Sequence, residues 1–140
     1  MRTLIYRMNQ IVLKAVHCTP WLFGLGLVVT TILSLMPGTS VPPVLQFWDK
    51  AQHALAFTLL TLTGAVAFPD KTRWVYVGLM LYGGLIEILQ ATLTTTRFGD
   101  VMDWVADGIG VLAGVAIHVI LLSNLRARPA AGKIEPLPRD

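Results

Sequence analysis

The chain has 140 residues, of which 54% are hydrophobic and 14% charged, with a formal charge of +3 and a mean hydropathy of +0.64. A soluble domain of this length cannot hide so much apolar surface, so lipid is the expected solvent, and the length suits one compact unit without a separate soluble domain. The basic residues lie between apolar stretches rather than on one soluble face, which sets nucleic-acid binding aside, and the single cysteine, Cys18, excludes an intrachain disulfide or a cysteine-pair metal site.

Residues 1–20 carry Arg2, Arg7 and Lys14. Leu4, Met8, Ile11 and Ala15 fall on one helical face, so this segment reads either as an amphipathic helix on an anionic membrane surface or as a flank continuing into the first span. Residues 21–36 form that span. Basic residues precede it as in a signal peptide, but Met36-Pro37-Gly38 is a turn rather than a small-residue cleavage site, so the span is expected to stay uncleaved. Residues 37–48 form a loop with three prolines. The second span is expected at 51–68, a tight polar turn at 69–73, the third span at 74–93, a further turn at 94–100 and the fourth span at 101–125. The proline-rich tail, 126–140, is expected to be disordered. Spans in lipid must pair their own backbone groups, so the fold expected is an all-α bundle of four transmembrane helices.

Orientation follows from the basic residues. Arg2, Arg7, Lys14, Lys71, Arg73, Arg126, Arg128, Lys133 and Arg139 fall on one side of these spans, and only Lys50 and Arg97 on the other. Basic loops stay in the cytoplasm, which puts both termini inside. Trp21 and Trp74 then open spans at the inner surface, and Trp48 and Trp104 flank spans at the outer one.

This topology collects polar residues at the outer end. Asp49, Lys50 and His53 open the second span; Glu87 and Gln90 lie in the outer half of the third; Arg97 and Asp100 occupy the outer turn; Asp103 and Asp107 start the fourth. At about 100° per residue, Asp103, Asp107, Gly110 and Gly114 share one face. So do Met80, Gly83, Glu87 and Gln90, and so do His53, Phe57, Leu60 and Gly64. The glycines permit close helix approach, within the chain or between copies in a homo-oligomer through Gly110 and Gly114. Glu87 lies about 10 Å inward from Thr94, where an acid costs roughly 2.5–3.5 kcal/mol. It needs a partner, with His53 and Arg97 as candidates. Asp103 and Asp107 are one turn apart and repel if both are ionised, so a basic side chain, a shared proton or a divalent cation should lie between them. Asp49 and Asp100 could instead simply cap the helices they precede.

The residues Asp49-Lys50-Ala51-Gln52-His53, Glu87-Ile88-Leu89-Gln90, Arg97-Phe98-Gly99-Asp100-Val101-Met102-Asp103 and Asp107-Gly108-Ile109-Gly110, with Gly114, resemble the VanZ-like membrane protein family in order and spacing. The likeness covers residues 48–114. That family usually has asparagine where this chain has Asp107, a difference that adds a negative charge. The resemblance implies a multi-pass protein of a bacterial cytoplasmic membrane. It also implies a link to the cell envelope and to resistance against the glycopeptide teicoplanin, for which the family is named. No settled activity comes with it.

Three functions fit these residues. The cluster could bind or process an envelope ligand, such as a lipid-linked phosphate or a cell-wall precursor. Lys50 and Arg97 would then hold phosphate, His53, Glu87 and Asp103 would be the candidate catalytic groups, and Asp103 with Asp107 the candidate divalent-metal ligands. Asp49, Gln90 and Asp100 complete the binding set. The absence of serine and cysteine nucleophiles from the cluster speaks against acyl transfer. Alternatively, the cluster is an ion-pair network that holds helices together or binds a partner protein. The third function is proton-coupled transport by an oligomer through His53, Glu87 and Gln90. The inner half offers only Tyr76 and His118 to extend such a path, and His118 reads better as a hydrogen-bonded interior histidine.

Overall fold

A computed structural model describes residues 2–37, 48–95 and 99–127, with their side chains over 17–37, 48–95 and 99–124. Among the described residues there are four α-helices, α1 (Arg2–Leu35), α2 (Asp49–Ala67), α3 (Thr72–Leu93) and α4 (Val101–Ala127), with a 3₁₀ turn at Pro69–Lys71 between α2 and α3. No strand occurs among the described residues. Residues 38–47 of the expected loop, Arg97 and the tail beyond Ala127 lie outside them.

The N-terminal segment is not a separate surface helix. It continues into the first span as one helix of 34 residues that passes through Pro20. Proline removes one backbone hydrogen bond, and spanning helices tolerate that loss. At 1.5 Å per residue α1 is about 50 Å long, well beyond the roughly 30 Å of a hydrocarbon core.

Three helices are long and apolar enough to cross a membrane, over His17–Leu35, Pro69–Leu93 and Val101–Asn124. By helix length and hydropathy the chain is a multi-pass membrane protein. Its outward surface agrees: Trp21, Leu25, Ile32, Leu81, Ile88 and Leu112 are all exposed, a pattern water would not tolerate on a monomer. The expectation of four apolar spans differs at α2. Asp49, Lys50, Gln52 and His53 take up its first turns, so its composition falls short although its length does not.

The packing explains why α2 can be less apolar. It is the central helix, touching α1, α3 and α4, with its broadest interface on α4. Phe57, Leu60, Leu79, Ile86 and Val111 form the buried core. His53, Phe57, Leu60, Thr61 and Gly64 give α2 one continuous buried face. Asp103, Asp107, Gly110 and Gly114 give α4 another. The two faces meet without side chains between them at Gly110, where an added Cβ would strike the Ala54 carbonyl oxygen, and at Gly114, where it would lie 2.6 Å from Thr61 Cβ. Thr58 Oγ1 donates to the Gly110 carbonyl at 3.0 Å across this seam. Gly110 and Gly114 therefore join helices of one chain, the first of the two uses expected for them.

Helices consecutive in the chain run antiparallel, so α1 and α3 share one direction and α2 and α4 the other. At one end Gln90 Nε2 of α3 donates to the Ser34 carbonyl of α1 at 2.9 Å, and Lys50 of α2 reaches the start of α4. At the other end Phe23 meets Phe68 edge-on, with ring centroids 5.9 Å apart. Between them Tyr82 of α3 donates to the Leu27 carbonyl at 2.7 Å and lies 2.8 Å from Thr31 Oγ1.

Candidate functional site

The charged end of the bundle is assembled from the start of α2, the last turns of α3 and the start of α4. Helical spacing puts Lys50 and His53 about one turn apart on α2, and Asp103 and Asp107 one turn apart on the facing side of α4. The two bases meet the two acids in register. Lys50 Nζ lies 2.8 Å from Asp103 Oδ1 and 2.7 Å from Asp100 Oδ2. His53 Nδ1 lies 2.9 Å from Asp107 Oδ1. The repulsion anticipated between Asp103 and Asp107 is relieved by giving each acid its own basic neighbour.

Asp100 organises the turn that leads into α4. Its Oδ1 accepts from the Met102 N–H at 2.8 Å, an N-cap bond, while Oδ2 takes Lys50. Its backbone N–H donates to Glu87 Oε2 at 2.6 Å. Gly99 permits this close approach, because a Cβ there would sit 2.6 Å from the Glu87 carbonyl oxygen. The Lys50 ammonium, helped by the Met102 N–H, holds the Asp100 carboxyl below the usual carboxylate range. The capping role expected of Asp49 is not what the structure gives it. Trp48 occupies the N-cap position, and Asp49 sits inside the first turn, where its charge complements the helix dipole.

Deeper in the bundle, Asp107 is fully buried and His53 nearly so. The space for Asp107 comes from Gly83 of α3, where a Cβ would lie 2.6 Å from Asp107 Oδ2. One ligand atom each from His53, Glu87 and Asp107 falls within 4.8 Å of the others, and a second such group is Asp49, His53 and Asp103. Asp103 and Asp107, paired as metal ligands in the sequence reading, belong to different groups here. Glu87 does not bond to His53 as expected; its fixed oxygen serves the backbone of Asp100. Glu87 Oε1 and Asp107 Oδ2 are buried without a hydrogen-bond partner, as is Gln90 Oε1. Gln90 is turned toward α1 through its Ser34 bond and so ties helices together. Arg97 lies outside the described residues.

Beside this cluster, between α1 and α2, is a cavity of about 100 Å³. Thr30, Leu33 and Ser34 line it from α1, and Asp49, Gln52, His53 and Ala56 from α2. Sequence reasoning missed the α1 side of this site. Thr30, Thr31 and Ser34 are polar residues near the end of an otherwise apolar run, and that contrast is the available signal. Trp104, read from the sequence only as an outer-surface flank, donates its indole Nε1–H to the Met80 carbonyl at 3.0 Å and pins α4 to α3. At the opposite end the Tyr76 hydroxyl and His118 Nδ1 are 2.8 Å apart, in keeping with an interior hydrogen-bonded histidine.

The arrangement can hold cations, or groups that donate hydrogen bonds, close to carboxylates drawn from three helices. Comparison with models of protein families, with curated proteins and with solved structures finds no match to this chain.

Proposed function

We propose that the chain is a VanZ-like protein of a bacterial cytoplasmic membrane that crosses it four times, with both termini inside. Its acid-rich end holds a polar part of a cell-envelope ligand at the outer surface. The helix directions support four crossings. α1 and α3 run the same way, so the chain must return through α2, whose 19 residues cover about 28 Å. The VanZ-like reading rests on the order and spacing of the acidic and basic motifs.

The observation that carries the ligand reading is the small cavity at His53, a concave place where Ser34, Asp49, Gln52 and His53 converge. Its volume fits about three waters, hence one polar substituent of a larger ligand. Lys50 is already engaged by two carboxylates, so a phosphate would have to displace them. The lining, with Asp49 beside the acceptors of Ser34 and Gln52, suits hydroxyl or ammonium donors, which favours the sugar or amine portion of a cell-wall precursor over its phosphate.

Detergent-purified protein incubated with a short-chain lipid-linked cell-wall precursor should retain one molecule in native mass spectrometry, and Gln52→Ala should reduce that retention. Failure of the unmodified protein to retain the precursor would overturn the ligand reading. It would favour the second reading, in which the Lys50–Asp100–Asp103 contacts serve only to clamp α2 to α4.

A further inference from the structure

We propose that His53, Glu87 and Asp107 form a binding site for one divalent transition-metal ion. The three ligands come from three helices, and one donor atom from each lies within 4.8 Å of the other two. Each carboxylate is already held by one oxygen. Asp107 Oδ1 faces His53 Nδ1 at 2.9 Å, and Glu87 Oε2 accepts the Asp100 N–H at 2.6 Å. The remaining oxygens, Asp107 Oδ2 and Glu87 Oε1, are the buried ones without a partner.

Folded proteins seldom leave buried polar atoms unsatisfied, and two such atoms on neighbouring carboxylates call for a shared donor or cation. The structure keeps room for one on the Asp107 side: Gly83 stands where any side chain would crowd Asp107 Oδ2. His53 Nδ1 faces Asp107 while Glu87 is held by a backbone N–H, so a divalent ion supplies the positive charge that His53 alone does not.

The donor set chooses the ion. Magnesium and calcium favour all-oxygen shells, whereas an imidazole nitrogen with carboxylates suits zinc or manganese. Three protein ligands leave a position for water or ligand. The cavity between α1 and α2 reaches His53 and offers a route in. The overlapping group of Asp49, His53 and Asp103 is the weaker choice, because Asp103 Oδ1 is already taken by Lys50. This inference goes beyond the proposed function and stands whether or not a precursor binds.

The test uses full-length, tag-free protein in detergent, stripped with chelator and titrated with zinc chloride. Calorimetry and elemental analysis after gel filtration report affinity and stoichiometry, and a melting curve reports folding. One zinc per chain is expected, with a metal-dependent rise in Tm. Glu87→Gln, which keeps an acceptor for the Asp100 N–H, and Asp107→Asn should each weaken binding by roughly tenfold or more. Asp49→Asn should leave it unchanged. Absence of stoichiometric zinc on the unmodified chain overturns the proposal, whatever the variants do. So does binding that Asp49→Asn abolishes and Glu87→Gln spares.

Discussion

Asp100 caps α4 with one carboxylate oxygen, takes the Lys50 ammonium with the other, and lends its N–H to Glu87. Asparagine caps a helix about as well as aspartate, so Asp100→Asn removes the charge and keeps the cap. The sign of the pH effect follows from the lowered carboxyl pKa. The pair's contribution is complete above the ordinary aspartate value of about 4. It fades as pH falls through the lower folded-state value. Melting curves between neutral and strongly acidic pH should therefore show a shallower acid decline for Asp100→Asn than for the unmodified chain. Salt should shrink the difference, since both side chains are about half exposed. Equal declines would mean that the Lys50–Asp100 contact adds no charge-dependent stability.

The seam between α2 and α4 depends on backbones approaching where side chains are missing. Gly110→Ala forces a methyl group onto the Ala54 carbonyl and Phe57, and overpacking of this kind costs about 1–3 kcal/mol. Gly24, with nothing within 4 Å of its would-be Cβ, is the control. Gly24→Ala should be neutral or slightly stabilising, and a denaturation series in mixed micelles would show the contrast; equal losses would refute the close seam. Helical faces of this kind are legible in sequence, because a 3.6-residue period places His53 above Phe57 and Asp103 above Asp107 whatever surrounds them. The partners across the seam are not. Glu87 is expected to bond His53 and instead accepts the Asp100 N–H. Which base faces which acid depends on the rotation and axial offset of two helices, and those are set by contacts such as Gly110 on Ala54 that no single-helix pattern contains. The continuity of α1 is one of the two readings the sequence leaves open, because Pro20 reads as a boundary in water, whereas backbone in lipid has no better alternative than the helix.

At the scale of the whole molecule, a polar-headed helix sits at the centre and more apolar helices surround it. α2 can be the least lipophilic of the four because protein, not lipid, meets its charged turns: Lys50 and His53 are answered by Asp100, Asp103 and Asp107. Those answering residues come 50 to 54 positions later in the chain. On the proposed four-crossing topology, α2 reaches the membrane during synthesis before the groups that neutralise it exist, and its lasting residence there must await the emergence of α4. A chain ended at residue 98 and fused to a topology reporter should hold α2 across the bilayer in only part of the population, and extension through Asn124 should make it complete. Full insertion of the truncated chain would show that α2 needs no late-arriving partner.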